Sequence, residues 1–251
     1  MNSFITWVGG KKALRKEIIN RFPTTISRYI EVFGGAAWVL FGADRHAELE
    51  VYNDVNSDLV NLFRCVKYHC GALQEELSGL LNSREIFADY MAQRKTRGYT
   101  DIQRAARFYA TIRMSYGADA RSYGCGMTLI DPGIEYLQVV RRRLERVVIE
   151  HKDFDNLIKV YDRPEALYYC DPPYHGTEAH YTDIFSTADH ERLRAALGQV
   201  KGRWLLSYND DQYIRELYAG YTIEELQRPM GLTHKDFHNK KAFNELLIRN
   251  Y

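Results

Sequence analysis

Hydrophobic positions along the chain follow two spacings, one typical of strands and the other of helices. Short runs rich in β-branched and aromatic residues predict strands at 27–33, 49–52, 147–150, 166–170, 204–207 and 245–249. Apolar residues at helical spacing separate most of these runs, at 11–22, 36–42, 57–66 and 187–200. This alternation predicts an α/β fold in which helices cover both faces of a mostly parallel sheet.

The middle of the chain has a different pattern. Residues 61–145 show helical spacing and almost no strand signal, with the clearest helix at 103–114. The segment 115–133 is rich in Gly, Ser and Tyr, which favours an ordered loop or a short hairpin. We therefore expect one α/β domain formed by 1–60 and 146–251, interrupted by a mainly helical inserted domain at 61–145.

Composition and charge refine this division. A chain of 251 residues with 45% hydrophobic and 27% charged residues is neither a disordered tail nor a disulfide scaffold. The net charge of +1 hides a contrast, because 61–145 carries 13 basic and 9 acidic residues. Within 94–126 there are 7 basic and 2 acidic residues. This stretch is either a solvated helix face or a surface that contacts phosphates.

Compartment and assembly are predicted from what the sequence lacks. It has neither an 18-residue apolar run nor a signal-peptide pattern at the N-terminus, so we expect a cytoplasmic protein without a membrane span. The four cysteines show no zinc-site spacing, which predicts buried thiols and no metal. A monomer is the default expectation for the oligomeric state.

The tetrapeptide Asp171-Pro172-Pro173-Tyr174 is the first candidate for chemistry, because it directly follows the apolar run 166–170. Ligands of open α/β sheets bind beyond the carboxyl ends of strands. The two prolines could alternatively do no more than end the strand, with Asp171 in a turn.

A second candidate is the Gly34-Gly35 turn after the first strand, where the backbone can approach a ligand closely. Asp54 lies 19 residues after Gly35, near the spacing at which an acidic residue binds ribose hydroxyls in nucleotide-binding folds. The alternative for Asp54 is an acid that caps the next helix, for which Asn56 and Ser57 are also candidates.

Four motifs, in order, resemble those of the Dam-type (D12 class) DNA adenine methyltransferases. They are the opening motif Trp7-Val8-Gly9-Gly10-Lys11, the cofactor loop 31–36, the acidic motif 52–59 and the catalytic motif 171–174. The resemblance implies a Rossmann-like methyltransferase sheet of seven strands. It is weaker between about 70 and 145.

The resemblance also implies S-adenosylmethionine as the cofactor. The residues that it assigns to this cofactor lie in or beside the motifs: Trp7, Gly9, Gly10, Lys11, Glu31, Phe33, Gly34, Gly35, Asp54, Val55, Asp153, Phe154 and Asp171. Lys11 is expected near the cofactor's carboxylate and Trp7 near its methionine end. Asp153 and Phe154 are expected near its adenine, although an aspartate that opens a helix is common.

The implied reaction is methyl transfer to the N6 amine of adenine. Asp171, expected to be ionised, would accept one amine hydrogen, and the carbonyl of Pro172 would accept the other. Pro173 continues the rigid segment, and Tyr174 would offer a flat face to a base flipped out of the duplex. This chemistry needs no metal.

The resemblance implies duplex DNA as the partner. If the enzyme belongs to a restriction–modification system, it also implies a cognate restriction endonuclease. The candidate DNA-contacting residues are polar or aromatic side chains of the insertion: Arg94, Lys95, Arg97, Arg113, Ser115, Tyr116, Arg121, Ser122 and Tyr123. The stretch 117–133 is too short for the full recognition hairpin of the best-known Dam enzymes. We therefore predict no target sequence, and do not expect GATC.

Two alternatives remain open. The chain could be an amino methyltransferase for cytosine N4, RNA or a protein glutamine, or a catalytically inactive DNA-binding protein on a methyltransferase scaffold. The opening motif at Trp7 and the basic insertion favour adenine in duplex DNA. Intact Asp54 and Asp171 favour activity.

Overall fold

A single seven-stranded sheet forms the centre of the protein, as the computed structural model shows; it describes residues 1–94, 96–118, 121–125, 133–176, 185–227 and 244–251. The strands in chain order are β1 Arg28–Glu31, β2 Leu49–Asn53, β3 Val147–Glu150, β4 Ala166–Cys170, β5 Arg203–Asn209, β6 Thr222–Gln227 and β7 Asn244–Arg249. Their order in the sheet is β3-β2-β1-β4-β5-β7-β6.

Strands β1 to β5 pair in parallel, whereas β7 is antiparallel to both β5 and β6. The predicted mostly parallel α/β sheet is thus confirmed. The hydrophobic pattern did not predict β6, because its sequence TIEELQ mixes acidic and apolar residues. As an edge strand, β6 pairs only with β7, so a continuous apolar run is not required there.

Helices connect the strands within the described part of the chain. The α-helices are α1 Arg15–Ile19, α2 Ser57–Tyr68, α3 Cys70–Leu77, α4 Arg84–Gln93, α5 Asp101–Met114, α6 Tyr136–Leu144, α7 Phe154–Tyr161, α8 Thr187–Leu197 and α9 Gln212–Leu217. Side-chain caps fix the N-terminal ends of α2 and α5. The Asn56 side chain accepts from the backbone N–H groups of Asp58 and Leu59, and Thr100 forms a capping box with Gln103.

The helix predicted at 36–42 is wrong, because only one 3₁₀ turn forms, at Leu40–Gly42. Ala37 has φ +54°, a left-handed conformation that interrupts a right-handed helix. The turn brings the backbone N–H of Leu40 to 2.7 Å from a carboxylate oxygen of the buried Glu31. A buried acceptor therefore competes with the helix for this backbone donor.

Two apolar clusters cover the two faces of the sheet, because side chains alternate along each strand. On β4, Leu167 and Tyr169 belong to the first cluster and Tyr168 and Cys170 to the second. The second cluster contains residues of α7, α8 and α9.

The first cluster also includes residues of α2, α3, α5 and α6, so much of 61–145 packs on one face of the sheet.

A buried ion pair joins α6 to the sheet. The guanidinium of Arg143 binds both carboxylate oxygens of Glu50 on β2, at 2.7 and 2.8 Å, and also donates to the carbonyls of Ala43 and Leu40. Both side chains are almost fully buried. Charges removed from water need such complete pairing.

Two smaller features concern exposure. No helix among the described residues is both long and apolar enough to span a membrane. Cys65, Cys70 and Cys170 are buried as predicted, but Cys125 is exposed, which corrects the expectation of four buried thiols. Cys125 lies two residues after Tyr123, which forms an isolated bridge with Ser115.

Replacing Arg143 by alanine should lower the free energy of unfolding by roughly 3–5 kcal/mol, because it leaves the Glu50 carboxylate buried without its partner. Urea denaturation measures this loss. The control Arg142→Ala, an exposed position on the same helix, should change stability by less than about 0.5 kcal/mol. Equal losses in the two variants would contradict a stabilising role for the buried pair.

Candidate active site

The candidate residues meet at one edge of the sheet because parallel strands present their carboxyl ends on the same side. The side chain of Asn53, at the end of β2, ties three segments together there. Its amide donates to the carbonyls of Val32 and Lys152 at 2.9 and 3.1 Å, and its oxygen accepts from the Lys152 backbone N–H. The segments after β1, β2 and β3 are thereby held in a fixed arrangement.

The glycine loop after β1 is shaped by β2. A Cβ on Gly34 would lie 2.2 Å from the ring of Tyr52, so no side chain fits at this position. Gly35 has φ +49°, and its carbonyl accepts from the Tyr52 hydroxyl at 2.8 Å. The glycines at these two positions are therefore required by the packing of Tyr52 and by the turn itself, and the close approach of this backbone to a ligand stays a prediction.

Asp54 supports the same loop. One carboxylate oxygen accepts from the Gly35 N–H and the other from the Asn56 N–H, each at 2.8 Å. Asn56, not Asp54, caps α2. The helix-cap alternative for Asp54 is therefore wrong. The neighbouring Val55 is exposed.

The opening motif lies against this loop. The ring of Trp7 is half-buried, packs against Phe108 at 5.9 Å and lies beside Gly35. Gly9 has φ +75°, and the Gly10 N–H donates to the carbonyl of Trp7, which closes a tight turn. This turn carries Lys11 into the site.

Lys11 is buried and contacts the catalytic-motif candidate directly. Its ammonium lies 2.7 Å from Oδ1 of Asp171, donates to the carbonyl of Gly9 at 2.9 Å, and stands 4.9 Å from the ring centre of Tyr174. Tyr174 is half-buried and packs against Tyr208. The first and fourth predicted motifs are thus in contact.

Burial raises the pKa of Asp171 from its ordinary 3.8 to about 6. The charge of Lys11 opposes this rise, whereas the nearby carboxylate of Glu245 reinforces it. The carboxyl group is therefore still mostly ionised at pH 7, as the sequence predicted, but with a much smaller margin.

Glu245, the second residue of β7, is a site residue that the sequence analysis missed. It is buried, and its Oε1 lies 3.7 Å from the Lys11 ammonium. β7 runs antiparallel to β5, with Glu245 opposite Asn209, so the start of β7 reaches the edge where the other strands end. No local pattern in the sequence distinguishes this glutamate from the rest of its strand.

Glu31 occupies a different position from the other predicted cofactor residues. Only 2% of it is exposed, and one carboxylate oxygen accepts from the hydroxyl of Tyr29 and the N–H of Leu40, both at 2.7 Å. Burial raises its pKa from 4.5 to about 8, against the effect of those two hydrogen bonds. The side chain supports the loop from beneath.

Aromatic rings line the other side of the loop. Phe33 is half-buried and packs against Phe154 and Phe185, with ring centres 5.7 and 5.8 Å away. Asp153 caps α7 by accepting from the Asp155 N–H and pairs with Arg192 at 2.7 Å. Phe33 and Phe154 are thus adjacent, whereas Asp153 has the helix-opening role that the sequence left open.

The predicted DNA-contacting residues divide by exposure. Arg97, Tyr116, Arg121 and Ser122 are exposed, Arg94, Arg113, Ser115 and Tyr123 are half-buried, and Lys95 lies outside the described residues.

An isolated antiparallel bridge joins Ser115 to Tyr123, which brings Tyr116, Arg121 and Ser122 together.

Two of the half-buried residues have structural contacts. The hydroxyl of Tyr123 donates to Asn82, and its ring packs against Phe87. Arg94 lies 3.8 Å from the carboxylate of Asp58.

The described residues include no group of three or more His, Cys, Asp or Glu side chains that could hold a metal ion. The charged centre of the site consists instead of one ammonium between two carboxylates, those of Asp171 and Glu245.

The sequence matches the family described as D12 class N6 adenine-specific DNA methyltransferase over residues 7–126 and 134–231. These two stretches include the opening motif, the glycine loop, Asp54 and the 171–174 segment.

Curated relatives align with almost the whole chain. The chain is 24% identical to the type II methyltransferase M.CviBI of Paramecium bursaria Chlorella virus NC1A, with all of both chains covered. It is 25% identical to the Retron Ec67 DNA adenine methylase of Escherichia coli, covering 88% of this chain and 82% of that one. It is 29% identical to a DNA adenine methylase of Serratia marcescens, covering 98% and 97%.

The buried carboxyl of Glu31 should make stability depend on pH. A folded-state pKa of about 8 against 4.5 means that folding favours the protonated form, so this stability is complete below pH 4.5 and falls as the pH rises to 8. Glu31→Gln mimics the protonated acid and should reduce this fall. Melting temperatures at pH 5 and pH 8 test it, with the exposed Glu48→Gln as control. The same pH dependence in Glu31→Gln and wild type would contradict the assignment.

Proposed function

The chain belongs to the D12 class of N6 adenine-specific DNA methyltransferases, and we propose that it takes its methyl group from S-adenosylmethionine and acts on an adenine flipped out of duplex DNA. Membership of the family shows an enzyme that methylates adenine in DNA. The two alternatives were a methyltransferase for cytosine, RNA or protein and an inactive scaffold. The names of the chain's relatives, type II methyltransferase and DNA adenine methylase, support neither alternative. The methyl donor, the flipped base and the residue roles are what the proposal adds.

One observation carries the proposal: the carboxylate of Asp171, at the end of the central strand β4, is buried beside Lys11 and close to Tyr174. This position lies beyond the carboxyl end of the strand, where open α/β sheets bind ligands. An ionisable acceptor and an aromatic face are both needed to hold an amino-substituted planar base.

The residues around the glycine loop fit S-adenosylmethionine. Gly35 lies beside the ring of Trp7, and its backbone N–H fixes Asp54 close to it. The two carboxylate oxygens of Asp54 accept from the backbone N–H groups of Gly35 and Asn56, which fixes an acidic side chain of the kind that binds ribose hydroxyls. When bound, S-adenosylmethionine supplies an electrophilic methyl group on its sulfonium.

The proposed cofactor site comprises residues that come from the ends of β1 to β4 and from the opening motif: Trp7, Gly9, Gly10, Lys11, Phe33, Gly34, Gly35, Asp54, Val55, Asp153, Phe154 and Asp171. Glu31 contributes from beneath, through its bond to the Leu40 N–H. The aromatic pair Phe33 and Phe154 offers apolar surface for the adenine ring of the cofactor.

The amine of adenine is a poor nucleophile because its lone pair is delocalised into the ring. In the proposed mechanism the Asp171 carboxylate accepts one amine hydrogen and the Pro172 carbonyl accepts the other, which localises the lone pair on nitrogen. The same acceptors stabilise the positive charge that develops on that nitrogen. Pro172 and Pro173 have fixed φ values and no backbone N–H, so this segment is rigid.

Tyr174 serves as the platform for the base. Its ring is held by Tyr208 and by the Lys11 ammonium, so it is already oriented before a base arrives. An adenine inside a duplex cannot reach Asp171, because the carboxylate is largely buried against the Lys11 ammonium at the sheet edge. The base must therefore leave the stack, as enzymes that modify bases require.

The surface proposed to hold the duplex is the bridge region of the 61–145 segment, together with Arg97. Tyr116, Arg121 and Ser122 are exposed and stand together at the Ser115–Tyr123 bridge. Positive and hydrogen-bonding side chains of this kind contact phosphates and base edges. On this view 61–145 is the recognition domain, and 1–60 with 146–251 is the catalytic domain. A restriction endonuclease is the further partner proposed from the type II relatives.

Asp171→Asn should reduce methyl transfer by at least roughly 100-fold, because the amide presents donors where an acceptor is needed. Transfer from labelled S-adenosylmethionine to unmethylated genomic DNA measures it, and calorimetric titration should show that the variant still binds the donor. Near-wild-type turnover would refute the role of Asp171, and wild-type protein that labels no adenine would refute the proposed donor.

Arg121→Ala should weaken DNA binding and lower the slope of log K against log salt concentration by about 0.9, the value for one lost phosphate contact. Fluorescence anisotropy over a range of salt concentrations measures the slope. Arg163→Ala is the matched control, since Arg163 is exposed just before β4, at the opposite edge of the sheet. An unchanged slope in Arg121→Ala would exclude Arg121 from the DNA interface.

A further inference from the structure

Glu245 places a second carboxylate in the active site, at a position where a parallel sheet would have none. β7 is the strand that reverses direction, so its start lies beside the end of β5. Glu245 is 5% exposed, and among the described residues its Oε1 has no hydrogen-bond partner. This oxygen lies 3.7 Å from the Lys11 ammonium, which in turn lies 2.7 Å from Oδ1 of Asp171.

We propose that Glu245 is a positioning residue for methyl transfer: it shares the Lys11 ammonium with Asp171 and so keeps the Asp171 carboxylate available to the adenine amine. This inference rests on the proposed roles of Asp171 and Lys11. It adds a residue that lies outside all four sequence motifs.

Lys11 and the substrate amine compete for the carboxylate of Asp171. Its Oδ1 contacts the Lys11 ammonium in this structure, yet the proposed reaction requires the carboxylate to accept a hydrogen from the substrate amine. An ammonium with a single counter-ion in a buried site would pair strongly with it. A second carboxylate 3.7 Å from the same ammonium divides that attraction, so the cation can remain paired while Asp171 binds the amine.

The charge of the site leads to the same conclusion. Two carboxylates and one ammonium leave a net charge of −1 around the position proposed for the amine. Positive charge develops on the nitrogen as the methyl group is transferred, and fixed negative charge in a buried site stabilises it. If Glu245 were neutral, the charges of Lys11 and Asp171 would cancel and the site would have no net charge.

A buried carboxylate oxygen without a hydrogen-bond partner is costly for folding. Glu245 also lies in an electrostatic environment shared by groups from several elements. The charged or titratable groups coupled to Asp171 come from the opening motif, β1, β4, β5, β7 and the catalytic motif: Lys11, Glu31, Tyr169, Cys170, Tyr208, Glu245 and Tyr174. Among these groups, Glu245 is the carboxylate besides Asp171 that lies within 4 Å of the Lys11 ammonium.

The test is Glu245→Gln, which keeps size and hydrogen-bonding capacity and removes the charge. We expect kcat at pH 7.5 to fall on the order of 10- to 100-fold, the range for misplaced catalytic groups. We also expect the acidic limb of kcat/KM, near pH 6 in the wild type, to move to lower pH, because the Glu245 charge raises the pKa of Asp171.

Two further variants separate this role from a structural one. Glu245→Asp restores the charge and should restore the wild-type acidic limb, even with partial activity. Glu225→Gln, an exposed position on the neighbouring β6, should leave both kcat and the limb unchanged. Melting temperatures confirm that each variant is folded.

A folded Glu245→Gln protein with wild-type kcat, or with lower kcat and an unshifted acidic limb, would overturn the inference. Neither outcome touches the proposed function, which fails only if the wild-type enzyme does not transfer methyl groups from S-adenosylmethionine to adenine.

Discussion

The site depends on one buried interaction, the ion pair between the ammonium of Lys11 and the carboxylate of Asp171. Neither charge can be buried alone at acceptable cost, so the segment that carries Lys11 must stay at the end of β4. That requirement also holds Trp7 against the glycine loop, since the two residues belong to one tight turn. The N-terminal segment, which contributes no strand to the sheet, is thereby part of the proposed catalytic centre.

Much of the fold could be predicted from sequence because most strands are locally distinctive. The five parallel strands and β7 are short apolar runs, and their burial on both faces explains the continuous hydrophobicity. The edge strand β6 was missed because its acidic residues, Glu224 and Glu225, pair with arginines at the surface. The segment 36–42 was misread because the buried carboxyl of Glu31, at the end of β1 and outside the helical pattern, accepts from the Leu40 N–H and shapes the turn.

Site residues could be predicted where a local sequence pattern marks them and could not be predicted where only contacts in the folded chain define them. Trp7 to Lys11, the glycine loop, Asp54 and the 171–174 segment are contiguous motifs with recognisable spacing. Glu245 and the Arg143–Glu50 pair are defined by partners far away in the chain, so no local pattern marks them. The contact of Lys11 with Asp171 was likewise not foreseen, although both residues were singled out, because pairing between motifs is a property of the folded chain.

The packing of Gly34 under the ring of Tyr52 has a consequence for how this protein can diverge. The glycine has no room for a methyl group, and the tyrosine hydroxyl holds the carbonyl of the next residue. A larger residue at position 34 becomes tolerable only after position 52 has become smaller, and a smaller residue at 52 loses the bond that holds Gly35. The two positions are therefore epistatic, and the shape of the glycine loop is inherited as a pair of residues, one in the loop after β1 and one on β2.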